Sequence, residues 1–218
     1  MTTLSTAPVA PLLDGLFKKA AAATSPAMAE LSSDERARLI RSKTEYLDLY
    51  GRLKDLWLPV SPETGMLLYM LARACRARTI VEFGTSFGIS TLHLAAALRD
   101  NGGGRLITCE FEPSKVAQTR QHLTDGGLID LVEIREGDAL KTLSVDLPET
   151  IDLVLLDGAK ALYLEILELV EERLKPGALI VADNADLSPE YLARVRSRTA
   201  GYLSVPFGED VELSMRIA

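Results

Sequence analysis

The chain has 218 residues, 47% of them hydrophobic, which suffices for the core of one α/β domain. Its formal net charge of −7 excludes the broad basic surface that attracts nucleic acids and anionic membranes, so neither is expected as a partner. Cys75 and Cys109 lie in apolar segments without the spacing of a disulfide framework or a zinc site, which indicates reduced thiols and a cytoplasmic protein.

The N-terminal part of the chain differs in composition from the rest. Residues 1–30 are rich in Ala, Thr, Ser and Pro, and only 11–22 follow a helical pattern. We therefore expect an N-terminal arm that is partly disordered or docked on a second copy in a homodimer. Residues 31–218 form the predicted domain.

Two amphipathic helices are predicted before the first strand. The first follows an N-cap candidate at Ser33 and continues as one long helix to near Pro59. The second begins at Ser61-Pro62, where Ser can cap the helix and Pro fits its first turn. As an alternative to helix packing, the segment 56–60 could form a lid over a ligand site at the edge of the sheet. Three aromatic residues of this region are interpreted as helix-packing groups: Tyr46, Tyr50 and Trp57.

Strands and helices alternate in the rest of the chain. The predicted strands are 79–83, 105–109, 131–135, 151–156 and 178–182. The predicted helices are 88–99, 113–125, 138–143, 160–173 and 188–199. Two further strands, 202–205 and 211–217, form a terminal antiparallel hairpin. This order predicts an α/β fold with a doubly wound, mostly parallel Rossmann-like sheet of seven strands, the last one antiparallel, and helices on both faces.

A glycine-containing turn follows the first predicted strand. The strand ends in Glu82-Phe-Gly84, and the chain turns through Gly88 into a helix. Two glycines let the backbone pass close beneath a ligand at a helix N-terminus. Their spacing departs from the G-x-G-x-x-G of dinucleotide enzymes, which disfavours a nicotinamide-dependent oxidoreductase.

Acidic residues follow the next two predicted strands. Glu110 ends the second strand, where a carboxylate can accept two hydrogen bonds from a ribose diol. Asp138 and Ala139 follow the third strand and can border an adenine ring. Each feature alone has a simpler explanation. A glycine turn can merely connect a strand to a helix, and an acidic side chain at a strand end can merely face solvent. The three in order, at successive strand ends, predict a nucleoside pocket.

Polar residues also follow the fourth and fifth predicted strands. Continuous Val, Leu and Ile runs end in Asp157 and in Asp183-Asn184. Neighbouring strands lie about 4.8 Å apart, so two carboxylates and an amide can hold one divalent cation, with Lys160 one helical turn away. Oxygen ligands favour Mg²⁺, Mn²⁺ or Ca²⁺ over zinc. The alternative is that these carboxylates only cap helices or turns and that Lys160 is solvated.

The motifs at these strand ends together resemble one enzyme family. The run Val81 to Ser90, Glu110, the Asp157-Gly-Ala-Lys160 segment with Tyr163, and Asp183-Asn184 resemble the class I S-adenosylmethionine-dependent O-methyltransferases of the catechol and caffeoyl-CoA group. The resemblance implies that Glu82, Gly84 and Ser90 line the methionine end of the cofactor, Glu110 binds its ribose, Asp138 and Ala139 border adenine, and Asp157 lies beside it.

The resemblance also implies a metal-assisted reaction. Asp157, Asp183 and Asn184 would bind Mg²⁺ or a similar cation, and Lys160 would act as the base, with Asp157 as the second catalytic residue. The expected reaction transfers a methyl group from S-adenosylmethionine to a hydroxyl of a small, catechol-like aromatic acceptor. Two alternatives stay open: a methyltransferase that needs no metal, and a noncatalytic protein that only binds S-adenosylmethionine.

Overall fold

A seven-stranded sheet runs through the centre of the molecule. The computed structural model describes residues 1–24, 30–208 and 210–217. The strands are β1 (Thr79–Phe83), β2 (Arg105–Glu110), β3 (Val132–Glu136), β4 (Ile151–Leu156), β5 (Leu174–Ala182), β6 (Tyr202–Phe207) and β7 (Val211–Arg216). Their order is β3-β2-β1-β4-β5-β7-β6, and only the pairings of β7 are antiparallel. The predicted fold class is confirmed.

Helices cover both faces of this sheet. They are α1 (Val9–Ala22), α2 (Ser33–Ile40), α3 (Tyr46–Arg52), α4 (Pro62–Ala74), α5 (Ile89–Asp100), α6 (Pro113–Asp125), α7 (Ala139–Thr142), α8 (Tyr163–Val170) and α9 (Pro189–Val195). Apolar residues of α1, α4, α5 and α6 form the core on one face, and those of α8 and α9 form it on the other. In the part of the chain that the structure describes, no helix is long and apolar enough to cross a bilayer.

The long helix predicted after Ser33 is wrong, because the structure has two shorter helices there. α2 ends at Ile40, and α3 begins at Tyr46. Between them, the Ser42 hydroxyl accepts a hydrogen bond from the backbone N–H of Glu45 at 3.1 Å. A serine that satisfies a backbone donor in this way competes with the helical hydrogen bonds, so the chain can turn and start a second helix.

The first helix packs on its own chain. Val9, Leu13 and Leu16 of α1 are buried and belong to the core that α5 and α6 share. The Thr3 backbone N–H also donates to Asp100 at the end of α5, at 3.0 Å. Residues 25–29 of the predicted arm lie outside the described residues, as do Glu209 and Ala218. Contact of this arm with a second copy stays a prediction.

Candidate functional site

The carboxyl ends of the central strands form one edge of the sheet, and the candidate site lies there. The helices that follow the adjacent strands β1 and β4 lie on opposite faces, which opens a crevice between them. Two backbone hydrogen bonds extend the ladder past the strand ends: Asp157 N–H donates to Phe83 at 2.8 Å, and Asp183 N–H donates to Leu156 at 2.9 Å. The two acids therefore follow neighbouring strands side by side.

The turn after β1 requires glycine at Gly84. Its φ angle is +103°, in a region that side chains disfavour. A Cβ atom at this position would lie 2.6 Å from the carbonyl carbon of Asp157. The absence of a side chain therefore lets the turn pass directly against the chain that follows β4.

We expect Gly84→Ala to lower the free energy of unfolding by about 3 kcal/mol, because it combines overpacking with backbone strain. Gly103→Ala is the matched control, since Gly103 has a similar φ of +100° but open space around a Cβ. It should cost only about 1–2 kcal/mol. Urea denaturation of both variants measures the difference. Equal losses would show that the contact with Asp157 is unimportant for stability.

A cavity with a volume of about 650 Å³, open to solvent, lies above the ends of β1, β2 and β4. Five of the residues predicted to bind the cofactor line it: Gly84, Glu110, Asp138, Ala139 and Asp157. Further wall residues include Tyr46, Tyr50, Leu58, Phe111 and Lys115.

Glu110 lies in the wall of this cavity with its carboxylate held by the backbone. It accepts hydrogen bonds from the N–H groups of Ser86 at 2.9 Å and Glu112 at 3.0 Å. Burial raises the pKa of Glu110, while these bonds and the charge of Lys115 act in the opposite direction. A carboxylate has about four acceptor sites, so capacity remains for hydroxyl donors from a ligand.

Asp138 has two roles in the structure. Its side chain caps α7 by accepting from the Leu140 N–H at 3.1 Å, and it also accepts from the Tyr46 hydroxyl at 3.0 Å. The helix-cap role of Asp138 is therefore compatible with a place in the cavity wall. The bond to Tyr46 brings α3 over the cavity.

Glu82 lies beneath the glycine turn and is fully buried. It accepts hydrogen bonds from the hydroxyls of Ser90 at 2.5 Å and Thr91 at 2.6 Å. Burial raises the pKa of Glu82 to about 7, although these bonds act to lower it. Ser90 lines a second, smaller cavity of about 250 Å³ beside the first, which Trp57 and Asp157 also line. Glu82 thus supports Ser90 from behind.

A lysine and two carboxylates meet where the cavity borders the end of β5. Lys160 Nζ lies 2.8 Å from Asp157 Oδ1 and 4.0 Å from Asp183 Oδ2. It also donates to the Tyr163 hydroxyl at 2.9 Å, and that hydroxyl donates to the Asp183 carbonyl at 2.8 Å. The side chain of Lys160 is therefore held from two sides and points at both acids.

Burial and charge act in opposite directions on this cluster. Burial alone would lower the pKa of Lys160, but the negative charge of Asp157 and the charge of Asp183 raise it well above its ordinary value. Burial and the nearby charge of Asp157 raise the pKa of Asp183 to about 7. Two largely buried carboxylates side by side repel each other when both are ionised, and the ammonium of Lys160 partly offsets this repulsion.

The predicted metal ligands fit a hard cation by their chemistry and position. Asp157 and Asp183 converge on a common positive charge, and Asn184 follows in a left-handed conformation with φ of +48°. Among residues 1–24, 30–208 and 210–217, no three His, Cys, Asp or Glu side chains are grouped to hold a metal. A site here would draw on the two carboxylates and the amide oxygen of Asn184, which are ligands that Mg²⁺ accepts.

The helix-packing role predicted for three aromatic residues is incomplete. Tyr46 and Tyr50 pack on the core and also line the large cavity. Trp57 stacks on Phe87 of the glycine turn, with ring centroids 3.9 Å apart and planes 7° from parallel. Leu58, within the alternative lid segment, lines both cavities. The chain before β1 therefore covers the site.

Comparisons with known proteins agree with this geometry. A family model described as a methyltransferase domain matches residues 81–185. The chain is 38% identical to a catechol O-methyltransferase of Niastella koreensis over 58% of this chain and 58% of that protein. It thus spans less than two thirds of that relative's length. It is 30% identical to the O-methyltransferase ankF of Aspergillus thermomutatus over 77% of this chain and 68% of that protein.

A similar solved structure covers most of the chain. The O-methyltransferase TomG of Streptomyces achromogenes, solved in complex with S-adenosylmethionine, has a TM-score of 0.64 and 25% identity. The alignment covers 88% of this chain and 94% of that chain. The likeness therefore extends over most of the fold.

Proposed function

The chain belongs to the class I S-adenosylmethionine-dependent O-methyltransferases of the catechol and caffeoyl-CoA group, and we propose that it methylates a hydroxyl of a small, catechol-like aromatic acceptor. The observation that carries this proposal is the position of Asp157. It lines the large cavity and also pairs with Lys160, which lies next to Asp183. A methyl donor and an acceptor hydroxyl could therefore meet beside this residue.

The large cavity is the proposed cofactor site. Glu110 would accept hydrogen bonds from the ribose hydroxyls, and Asp138 with Ala139 would border the adenine ring. Gly84 would let the backbone approach the donor, and Ser90, supported by Glu82, would lie at the methionine end. The wall positions of Gly84, Glu110, Asp138 and Ala139 support this assignment.

The reaction would be an in-line displacement at the methyl group, so an oxyanion must be held in line with the sulfonium and away from water. A phenolic hydroxyl has a pKa near 10 and is a weak nucleophile when neutral. A divalent cation bound by Asp157, Asp183 and Asn184 would lower the pKa of an acceptor hydroxyl. Lys160 would then take the proton of that hydroxyl.

The negative charge of Asp157, with Oδ1 2.8 Å from Nζ, favours the protonated form of Lys160. Lys160 can act as a base only after this proton is lost. The negative charge of Asp157 holds the pKa of Lys160 up, against the effect of burial. Sharing the charge of Asp157 with a cation would lower the pKa of Lys160 and so favour the neutral amine.

The test is methyl transfer from labelled S-adenosylmethionine to a panel of catechols, flavonoids and hydroxycinnamates, with Mg²⁺ and with excess EDTA. We expect labelled ether products with Mg²⁺ and a loss of at least about 10²-fold in EDTA, since metal stabilisation of an oxyanion amounts to several kcal/mol. Undiminished turnover in EDTA would favour the metal-independent alternative. Tight cofactor binding with no product from any acceptor would favour the noncatalytic one. The predicted homodimer and cytoplasmic location stay predictions.

A further inference from the structure

We propose that Asp210 is a positioning residue that orients the Asn184 amide, so that the amide oxygen faces Asp157 and Asp183. Asp210 lies in the turn between β6 and β7, far along the chain from the other site residues. The proposal rests on the proposed function, because the oriented oxygen would serve the metal site.

The contact that carries this inference joins the two side chains directly. Asn184 Nδ2 donates a hydrogen bond to Asp210 Oδ2 at 2.8 Å. An Asn side chain has one acceptor oxygen and one donor nitrogen, and an ionised carboxylate can only accept. Asp210 therefore selects the nitrogen end of the amide and leaves the oxygen end for a cation.

The backbone fixes Asp210 in this position. The N–H of Ala185, the residue after Asn184, donates to the Asp210 carbonyl at 2.8 Å. Two residues after Asp210, Glu212 pairs with Ala182 at the end of β5 in the antiparallel ladder. The turn is thus attached to the segment that carries Asp183 and Asn184 by the sheet, by a backbone bond and by the side-chain bond.

Asp210 acts through Asn184 in this proposal, as a partner of a ligand and not as a ligand. In the described part of the chain, Asp157 and Asp183 have no third His, Cys, Asp or Glu grouped with them to hold a metal. Partners that orient metal ligands are worth about 10–100-fold in metal affinity. Loss of the Asp210 carboxylate should have an effect of this size.

The experiment measures Mn²⁺ affinity by the electron paramagnetic resonance of free Mn²⁺, with the protein saturated with S-adenosylhomocysteine. We expect Asp210→Ala to raise the Mn²⁺ Kd by about 10–100-fold. Asp210→Asn keeps an acceptor oxygen for Asn184, so its Kd should stay within about threefold of the natural protein. Asp186→Ala is the control for loss of a nearby charge, since Asp186 is exposed in the turn after Asn184, and we expect no change.

Thermal melts and S-adenosylhomocysteine affinities of all variants identify any that are misfolded. Natural Mn²⁺ affinity in a folded Asp210→Ala variant would overturn the inference. An equally large loss in Asp210→Asn would overturn it too, because charge and not orientation would then matter. If the natural protein binds S-adenosylhomocysteine but no Mn²⁺, the proposed metal site fails and the inference with it. If the natural protein binds Mn²⁺ and the Asp210→Ala variant binds it equally well, the inference alone is contradicted and the proposed metal site stands.

Discussion

Asp183→Ala is expected to reduce kcat/KM by about 10³-fold or more, with the affinity for S-adenosylmethionine unchanged within about twofold. The variant removes one of two carboxylates that share a positive charge, and metal stabilisation of the acceptor oxyanion supplies several kcal/mol, with about 1.4 kcal/mol for each factor of ten. Asp183 does not line the large cavity, in contrast to Asp157, so the cofactor should still bind. Initial rates with Mg²⁺ and calorimetric titration of the cofactor measure the two quantities.

Asp186→Ala is the matched control for this variant. Asp186 is exposed and lies three residues further along the same turn. Its loss should leave kcat/KM within about twofold, because an exposed charge is screened by salt. Comparable rates for Asp183→Ala and the natural protein would contradict a role of this carboxylate in the reaction.

Lys160→Met is expected to reduce kcat by about 10²–10⁴-fold at neutral pH, which is the usual contribution of a general base. Methionine has a similar length and fills the same space, but it cannot accept a proton. The loss should shrink as the pH rises towards the pKa of the bound acceptor, which a cation would hold below the value of about 10 for a free phenol, because the acceptor then ionises without a base. A pH profile of kcat for the variant and the natural protein measures this recovery.

The Lys160→Arg variant distinguishes between two roles of Lys160, as a general base and as a positive charge. Arginine keeps the charge beside Asp157 but does not lose its proton in proteins. If Lys160 is the base, the arginine variant stays as impaired as the methionine variant at neutral pH. Activity near that of the natural protein in Lys160→Arg would show that the side chain acts only as a cation.

The parts of the site that the sequence predicts well are those whose positions follow from strand ends. Continuous apolar runs identify β1, β4 and β5 as buried strands, and the first polar residue after each run must emerge at one edge of the sheet. Asp157 and Asp183 lie side by side for this reason. Tyr163 is also accessible to such reasoning, because residues three apart on a helix share a face and it lies three positions after Lys160.

The parts that the sequence does not predict depend on contacts between distant segments. Tyr46 reaches Asp138 across 92 positions, and Asp210 reaches Asn184 across 26. Their place in the site follows from how α3 and the β6–β7 turn pack, and no local pattern records that packing. The break between α2 and α3 has a local cause instead, because the Ser42 hydroxyl accepts a hydrogen bond from the Glu45 N–H only three residues away.

The stack of Trp57 on Phe87 gives the molecule its own optical probe. Trp57 is the single tryptophan of the chain, and its ring rests on the turn that borders both cavities. Indole emission depends on the polarity and contacts of the ring, so a ligand that displaces this pair would change the fluorescence of the unlabelled protein. In that case the occupancy of the site could be followed in real time, without a dye or a coupled assay.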